Sequence, residues 1–269
     1  MPKGISPIER WAIPLQVAAF WPALQWFAFR SYHGGMSAWS MASVVAAVVV
    51  LRTSHEGKRL EAWVPTFSLM GYLVLRPLVP PSASALYATL ALGMSISRIR
   101  TGRYLHPGLL GLFALALPLE DNLDFFAGYP LRSISTSWAV PLIELTGHHL
   151  VREGTTLLWS GETILVDVPC SGIRMLTGGM FCCALLICHL RLSLSRALLF
   201  SVFCLFLLIA GNAIRVALLF FPEAGIVRWP DVVHPLSGTV IFALALALSY
   251  QVAKLLAGNH PKGARSCDG

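Results

Sequence analysis

Long apolar runs, each closed by a short polar or basic segment, recur along the chain. Eight of them, near 11–30, 36–51, 62–79, 82–98, 106–120, 171–189, 197–220 and 234–256, read as membrane spans. A helix needs about 20 apolar residues to cross a bilayer core. The second and fifth runs are short for a full crossing and fit tilted or partly re-entrant helices. The longest stretch without a span lies between the fifth and sixth runs. Within it, residues 133–146 place Trp138, Leu142 and Leu145 at helical spacing, the pattern of a helix lying flat on the outer leaflet. Residues 151–168 instead alternate around Ser160-Gly161, which predicts a β-hairpin with arms at Thr155–Trp159 and Thr163–Val168. The expected fold is an all-α integral membrane protein, one polytopic domain over residues 1–269 with about eight transmembrane helices. An extracytoplasmic loop at 120–170 carries the short hairpin-like insertion before the sixth helix, and residues 258–269 form a cytoplasmic tail.

Composition agrees with this pattern. The chain is 56% hydrophobic and 12% charged, with mean hydropathy +0.68. Soluble domains carry about a quarter charged residues. The net charge of +7 does not point to nucleic acid, because the basic residues sit in short loops between apolar runs. With a cytoplasmic N-terminus, every lysine and most arginines fall on the inner side, and Arg30, Arg76, Arg132, Arg152, Arg174, Arg215 and Arg228 fall outside. That asymmetry sets both termini in the cytoplasm of a bacterial inner-membrane protein. No small-residue cleavage site follows the first apolar run, so it reads as a retained helix.

Three short segments at the expected outer edge carry candidate chemistry. Cys170 opens Cys170-Ser171-Gly172-Ile173-Arg174 and follows Pro169, which suggests a thiol at or near a helix N-terminus. A helix N-terminus lowers a thiol pKa, and the thiolate is the nucleophile. A helix running from Cys170 would put Arg174 on the same face. From its surroundings alone Cys170 reads equally well as an inert thiol. Cys182, Cys183, Cys188 and Cys204 lie within apolar runs and Cys267 in the tail, and all read as structural.

Arg215, in Asn212-Ala213-Ile214-Arg215, is costly in an apolar helix, at about 2.5–3.5 kcal/mol near the bilayer centre and less near an end. Snorkelling to the headgroups commonly accounts for such an arginine. Asn212, on nearly the same face, favours an inward polar patch in which the amide holds the guanidinium. His234 precedes Pro235 and fits the N-cap of the last span. A lone interfacial histidine is more often structural, but a Cys/His pair is the usual device for activating a thiol. His148-His149, with Glu144 and Glu153 nearby, completes no metal-ligand spacing, so neither a metal nor a cofactor is expected.

At these segments, together with Ser237-Gly238 and Phe242, the chain resembles the exosortase/archaeosortase family of multi-pass membrane cysteine transpeptidases. The resemblance is informative over about residues 130–245, and the earlier spans match only in kind. Asp167-Val168-Pro169 departs from the family pattern before the cysteine. Such a resemblance implies partners that are membrane-anchored proteins with a C-terminal sorting signal: a short motif, one transmembrane helix and a basic cluster. It implies cleavage near the motif and transfer to a lipid or glycan acceptor. Cys170 would form the acyl-thioester, Arg215 would hold the family's proton-donor position, and His234 would stabilise the transition state. Physical chemistry argues for exchanging the last two roles. Arginine is effectively always protonated, whereas histidine titrates near neutrality. Arg174 and Asn212 would contact substrate or position the site.

Two other classes leave different marks. A transporter places ionisable groups near the midplane, in interrupted helices of matched halves. A non-catalytic scaffold tolerates any residue at position 170. The polar residues here cluster at one edge instead. Water as acceptor shares the acyl-enzyme with transfer, and the sequence does not separate them.

Overall fold

The structure, a computed structural model, describes residues 7–166, 172–230 and 233–258, and of residues 7–10 and His234 the backbone alone. Among the described residues ten helices form: α1 (Pro7–Ala19), α2 (Trp21–Gly34), α3 (Ala38–Thr53), α4 (Trp63–Leu75), α5 (Pro81–Thr101), α6 (Pro107–Leu115), α7 (Glu120–Glu144), α8 (Ile173–His189), α9 (Leu194–Glu223) and α10 (Val233–Ala257). Three strands lie between α7 and α8: β1 (Val151–Glu153), β2 (Thr156–Trp159) and β3 (Glu162–Leu165).

Proline sets several helix boundaries. Pro22 lies in the first turn of α2, Pro81 opens α5 and Pro107 opens α6. A first-turn proline gives up an N–H that had no intrahelical partner anyway. The first apolar run is therefore two helices, which bend by 64° around Phe20. Phe20 is buried and meets Tyr72 edge-on with ring centroids 4.9 Å apart. The Gln16 amide donates to the Ser68 hydroxyl at 2.9 Å and ties α1 to α4.

The helices differ from eight uniform crossings. Among the described residues, α9 and the Pro235–Ala257 part of α10 are each long and apolar enough to cross a membrane, and the bent α1–α2 pair passes when taken together. Apolar helices α3, α4 and α8 are shorter, at 16, 13 and 17 residues. At 1.5 Å per residue, 13 residues span about 20 Å, short of a core about 30 Å thick. The fifth expected span is the nine-residue α6, which ends before Pro118.

α7 and α10 both pack along α9, while α8 packs against α6 and α9. Residues 133–146, expected as a separate surface helix, are mostly the C-terminal part of α7. There Ser135, Thr136, Ala139 and Ile143 are buried. The expected hairpin is a three-stranded antiparallel meander in the order β1-β2-β3, and it precedes the eighth helix rather than the sixth. Trp159 pairs with Glu162 across Ser160 and Gly161, whose φ values of +51° and +87° suit a two-residue hairpin turn. Leu157 and Val166 of this region pack with Ile143 of α7 and Val216, Ala217 and Phe220 of α9. At the other end, Ile187 of α8, Phe200 of α9 and Ala253 of α10 share a second core. The start of α8, the end of α9 and the start of α10 thus gather at the meander end of the bundle.

Candidate active site

The site is built where α8 begins on α9. Gly172 caps α8 in the left-handed conformation, at φ +77°. A Cβ placed there would lie 2.8 Å from Asn212 Cγ and 2.9 Å from its Nδ2. Glycine is needed twice over, once for the backbone angle and once for the approach to the amide. Asn212 is 2% exposed, and its Nδ2 donates to Ser135 Oγ of α7 at 2.9 Å. Burial of an amide without such a bond would cost roughly 1–3 kcal/mol. The α8 backbone, the Asn212 side chain and α7 are therefore locked to one another.

Arg215 lies one turn further along α9, on the Asn212 face. Its Nε is shielded from solvent and has no hydrogen-bond partner among the described residues. Gly238 of α10 faces it, since a Cβ at Gly238 would lie 3.2 Å from Arg215 Nε. One turn deeper, a Cβ at Gly211 would meet Met175 Cε of α8 at 2.8 Å and Ile241 of α10 at 3.1 Å. The stripes Gly172–Met175 on α8 and Gly238–Ile241 on α10 thus converge on α9 at the level of Asn212 and Arg215.

The expected site residues fall unequally on this framework. Cys170 lies outside the described residues, as do Asp167, Val168 and Pro169. His234 is the second residue of α10, and helix periodicity puts its backbone one turn before Gly238 on the same stripe. Its side chain lies outside the described residues. Asn212 and Arg215 share a face as the i, i+3 spacing implied. Arg174 does not join them. It is exposed on α8, away from the Gly172–Met175 stripe that meets α9. The shared face with Cys170 assumed a helix running through position 170, but α8 starts at Ile173, after a left-handed residue. His148 is engaged elsewhere, its Nδ1 2.9 Å from Thr146 Oγ1 and its ring packed against Trp159 and Phe221.

Ser135 was not legible as part of the site. It sits 77 residues before its partner Asn212. Of the cysteines read as structural, Cys183 and Cys204 are buried. Cys183 Sγ lies 3.8 Å from Ser201 Oγ and Cys204 Sγ 3.6 Å from Ser249 Oγ, both within the helix bundle.

Removing the amide tests the lock. Asn212→Ala and Ser135→Ala should couple by about 0.5–1.5 kcal/mol in a double-mutant cycle of unfolding free energies. Strict additivity would mean that the 2.9 Å contact holds nothing.

Chemically, the framework presents a half-buried guanidinium with a shielded Nε one turn from a pinned amide, beside a helix N-terminus. Both the guanidinium and the N-terminus favour negative charge. A family model described as transmembrane exosortase matches residues 11–250, most of the chain. No curated protein and no solved structure matches it.

Proposed function

The chain belongs to the transmembrane exosortase family, and we propose that it is a cysteine-dependent membrane protease and transpeptidase acting on exported proteins with a C-terminal sorting signal. The carrying observation is the seat of Gly172 on Asn212, one turn from Arg215. Cys170 is two residues from Gly172, and two residues reach about 7 Å at most. A thiol so tethered is within range of the α9 polar stripe.

His234 takes the proton of the Cys170 thiol, and the thiolate attacks the carbonyl carbon of the scissile peptide. The guanidinium of Arg215, fixed and always charged, stabilises the oxyanion that forms. Collapse breaks the C–N bond, and His234 gives a proton to the leaving amine. The resulting acyl-thioester then passes to a hydroxyl or amine of a lipid or glycan acceptor, whose proton His234 takes and returns to the leaving thiolate, which restores the Cys170 thiol. Arg174, exposed at the start of α8, would be a second positive contact, either for the thiolate or for an acidic group of the substrate motif. The site faces the extracytoplasmic side of the inner membrane, with both termini in the cytoplasm. In support, Arg98 bridges Glu61 and Arg191 bridges Glu56 at the end opposite the meander, where the hydropathy pattern put the inner charges. The Arg30–Asp121 pair joins α2 to α7 on the side assigned to the outer face.

The test is co-expression with an exported protein carrying such a tail, followed by electrophoretic mobility of the tail. Processing that requires the chain supports the proposal, and an unprocessed tail at full expression overturns it. Within that assay Arg215→Lys should lose at least about 10²-fold, since an ammonium cannot keep the guanidinium's geometry. His234→Ala should lose about 10²–10⁴-fold. Full activity in both variants would sink the assigned roles.

A further inference from the structure

The end of the bundle opposite the meander holds a cavity of about 510 Å³ between the α3–α4 loop, the α5–α6 loop and the end of α8. Arg103, Arg191, His55, His106 and His189 line it with one carboxylate, Glu56. The catalytic proposal uses none of these residues.

The backbone goes out of its way to place Arg191. α8 closes with Leu192 N–H donating to Ile187 O at 3.2 Å and Arg191 N–H to Cys188 O at 3.3 Å. These two bonds define a Schellman cap, whose left-handed position is usually glycine. Arginine occupies it here, at φ +50°. The cap also covers the last carbonyls of α8, so its negative end is partly neutralised toward the cavity. Arg191 contacts Glu56 Oε1 at 3.2 Å with side chains 77% and 70% exposed, a pair that another anion can exchange with.

His106 supplies a second donor. Its Nδ1 accepts the Leu109 N–H at 3.3 Å as the N-cap of α6, which leaves the ring proton on Nε2. Burial, and then the charges of Arg103 and Arg191, hold it below the usual imidazole value. Arg103 and Arg191 thus line the same cavity as His106, which sits at the positive end of α6. A planar fork of donors beside a helix N-terminus matches the oxygens of a phosphate.

We propose that this cavity binds a phosphate group, carried by an anionic lipid headgroup or free in solution. The site lies at the far end of the bundle from Arg215 and would anchor or regulate the protein from that side.

Isothermal titration of the full chain in neutral detergent tests it, with short-chain phosphatidic acid, inorganic phosphate and short-chain phosphatidylcholine as probes. Saturable binding of phosphatidic acid alone identifies the lipid headgroup. Binding of inorganic phosphate as well identifies a free-phosphate site, and either result supports the proposal. Arg103→Gln/Arg191→Gly should weaken binding at least about tenfold. Arg191→Gly alone relieves the left-handed backbone while removing the guanidinium, so its weaker binding is free of a folding defect. No saturable binding, equal binding of phosphatidylcholine, or wild-type affinity in the double variant would overturn the site.

Discussion

Cys170→Ala is expected to abolish processing of a co-expressed tail-bearing protein while the chain stays in the membrane at wild-type abundance. Alanine has no lone pair to offer the scissile carbonyl, so the acyl-enzyme cannot form. Removal of a nucleophile that works as one unit with its base costs on the order of 10³-fold or far more. Cys170→Ser keeps the shape but exchanges a thiolate for a hydroxyl of much higher pKa, and should be slow enough to accumulate bound substrate. The measurement is the electrophoretic shift of the tail, with a membrane-fraction immunoblot of each variant as control. Equal processing by all three would remove Cys170 from the chemistry and return the protein to the scaffold reading.

Gly172→Ala should cost at least about 10²-fold in processing while the bundle still folds. The left-handed backbone, at φ +77°, strains any L side chain by roughly 1–2 kcal/mol. The larger effect is steric. The new methyl would sit 2.8 Å from Asn212 Cγ, and that amide cannot swing aside without breaking its bond to Ser135. Either α8 or α9 must shift, and about 1 Å of misplacement near the reacting atoms is worth about 10²-fold. Gly147→Ala separates strain from clash, since Gly147 has φ +88° with nothing within 4 Å of the added methyl. It should lower thermal stability slightly and leave processing intact. Wild-type processing by Gly172→Ala would show that the chemistry does not depend on this contact.

The long apolar helices α9 and α10 were readable because a run that is apolar on every face must be enclosed by lipid or protein along its whole length. α7 was legible only in its C-terminal part. Leu142 and Leu145, whose spacing suggested a lipid-facing stripe, are 38% and 84% exposed, and the small polar Ser135 and Thr136 are buried. In a bilayer the apolar stripe faces lipid while small residues let helices approach, and the acidic Glu120 and Asp121 and the internal Pro130 hid the first half of the helix. Strand β1 is three residues of Val-Arg-Glu, too short to show alternation. The bend at Phe20 was hidden because an apolar run continues on both sides of it. At the site, Asn212 and Arg215 were legible as a local spacing. The seat of Gly172 on Asn212 joins segments 40 residues apart in sequence, and no periodicity connects them.

The shielded Nε of Arg215 has a consequence for ionic strength. Mobile ions screen charges that they can surround, over a Debye length of about 10 Å at 0.1 M. They act less on the half-buried Arg215, whose Nε is shielded and faces Gly238 of α10, than on Arg191, whose side chain is 77% exposed. Several hundred millimolar sodium chloride should therefore empty the phosphate cavity and leave turnover at the opposite end nearly unchanged. The two ends of one bundle would then answer differently to the salinity on either side of the membrane.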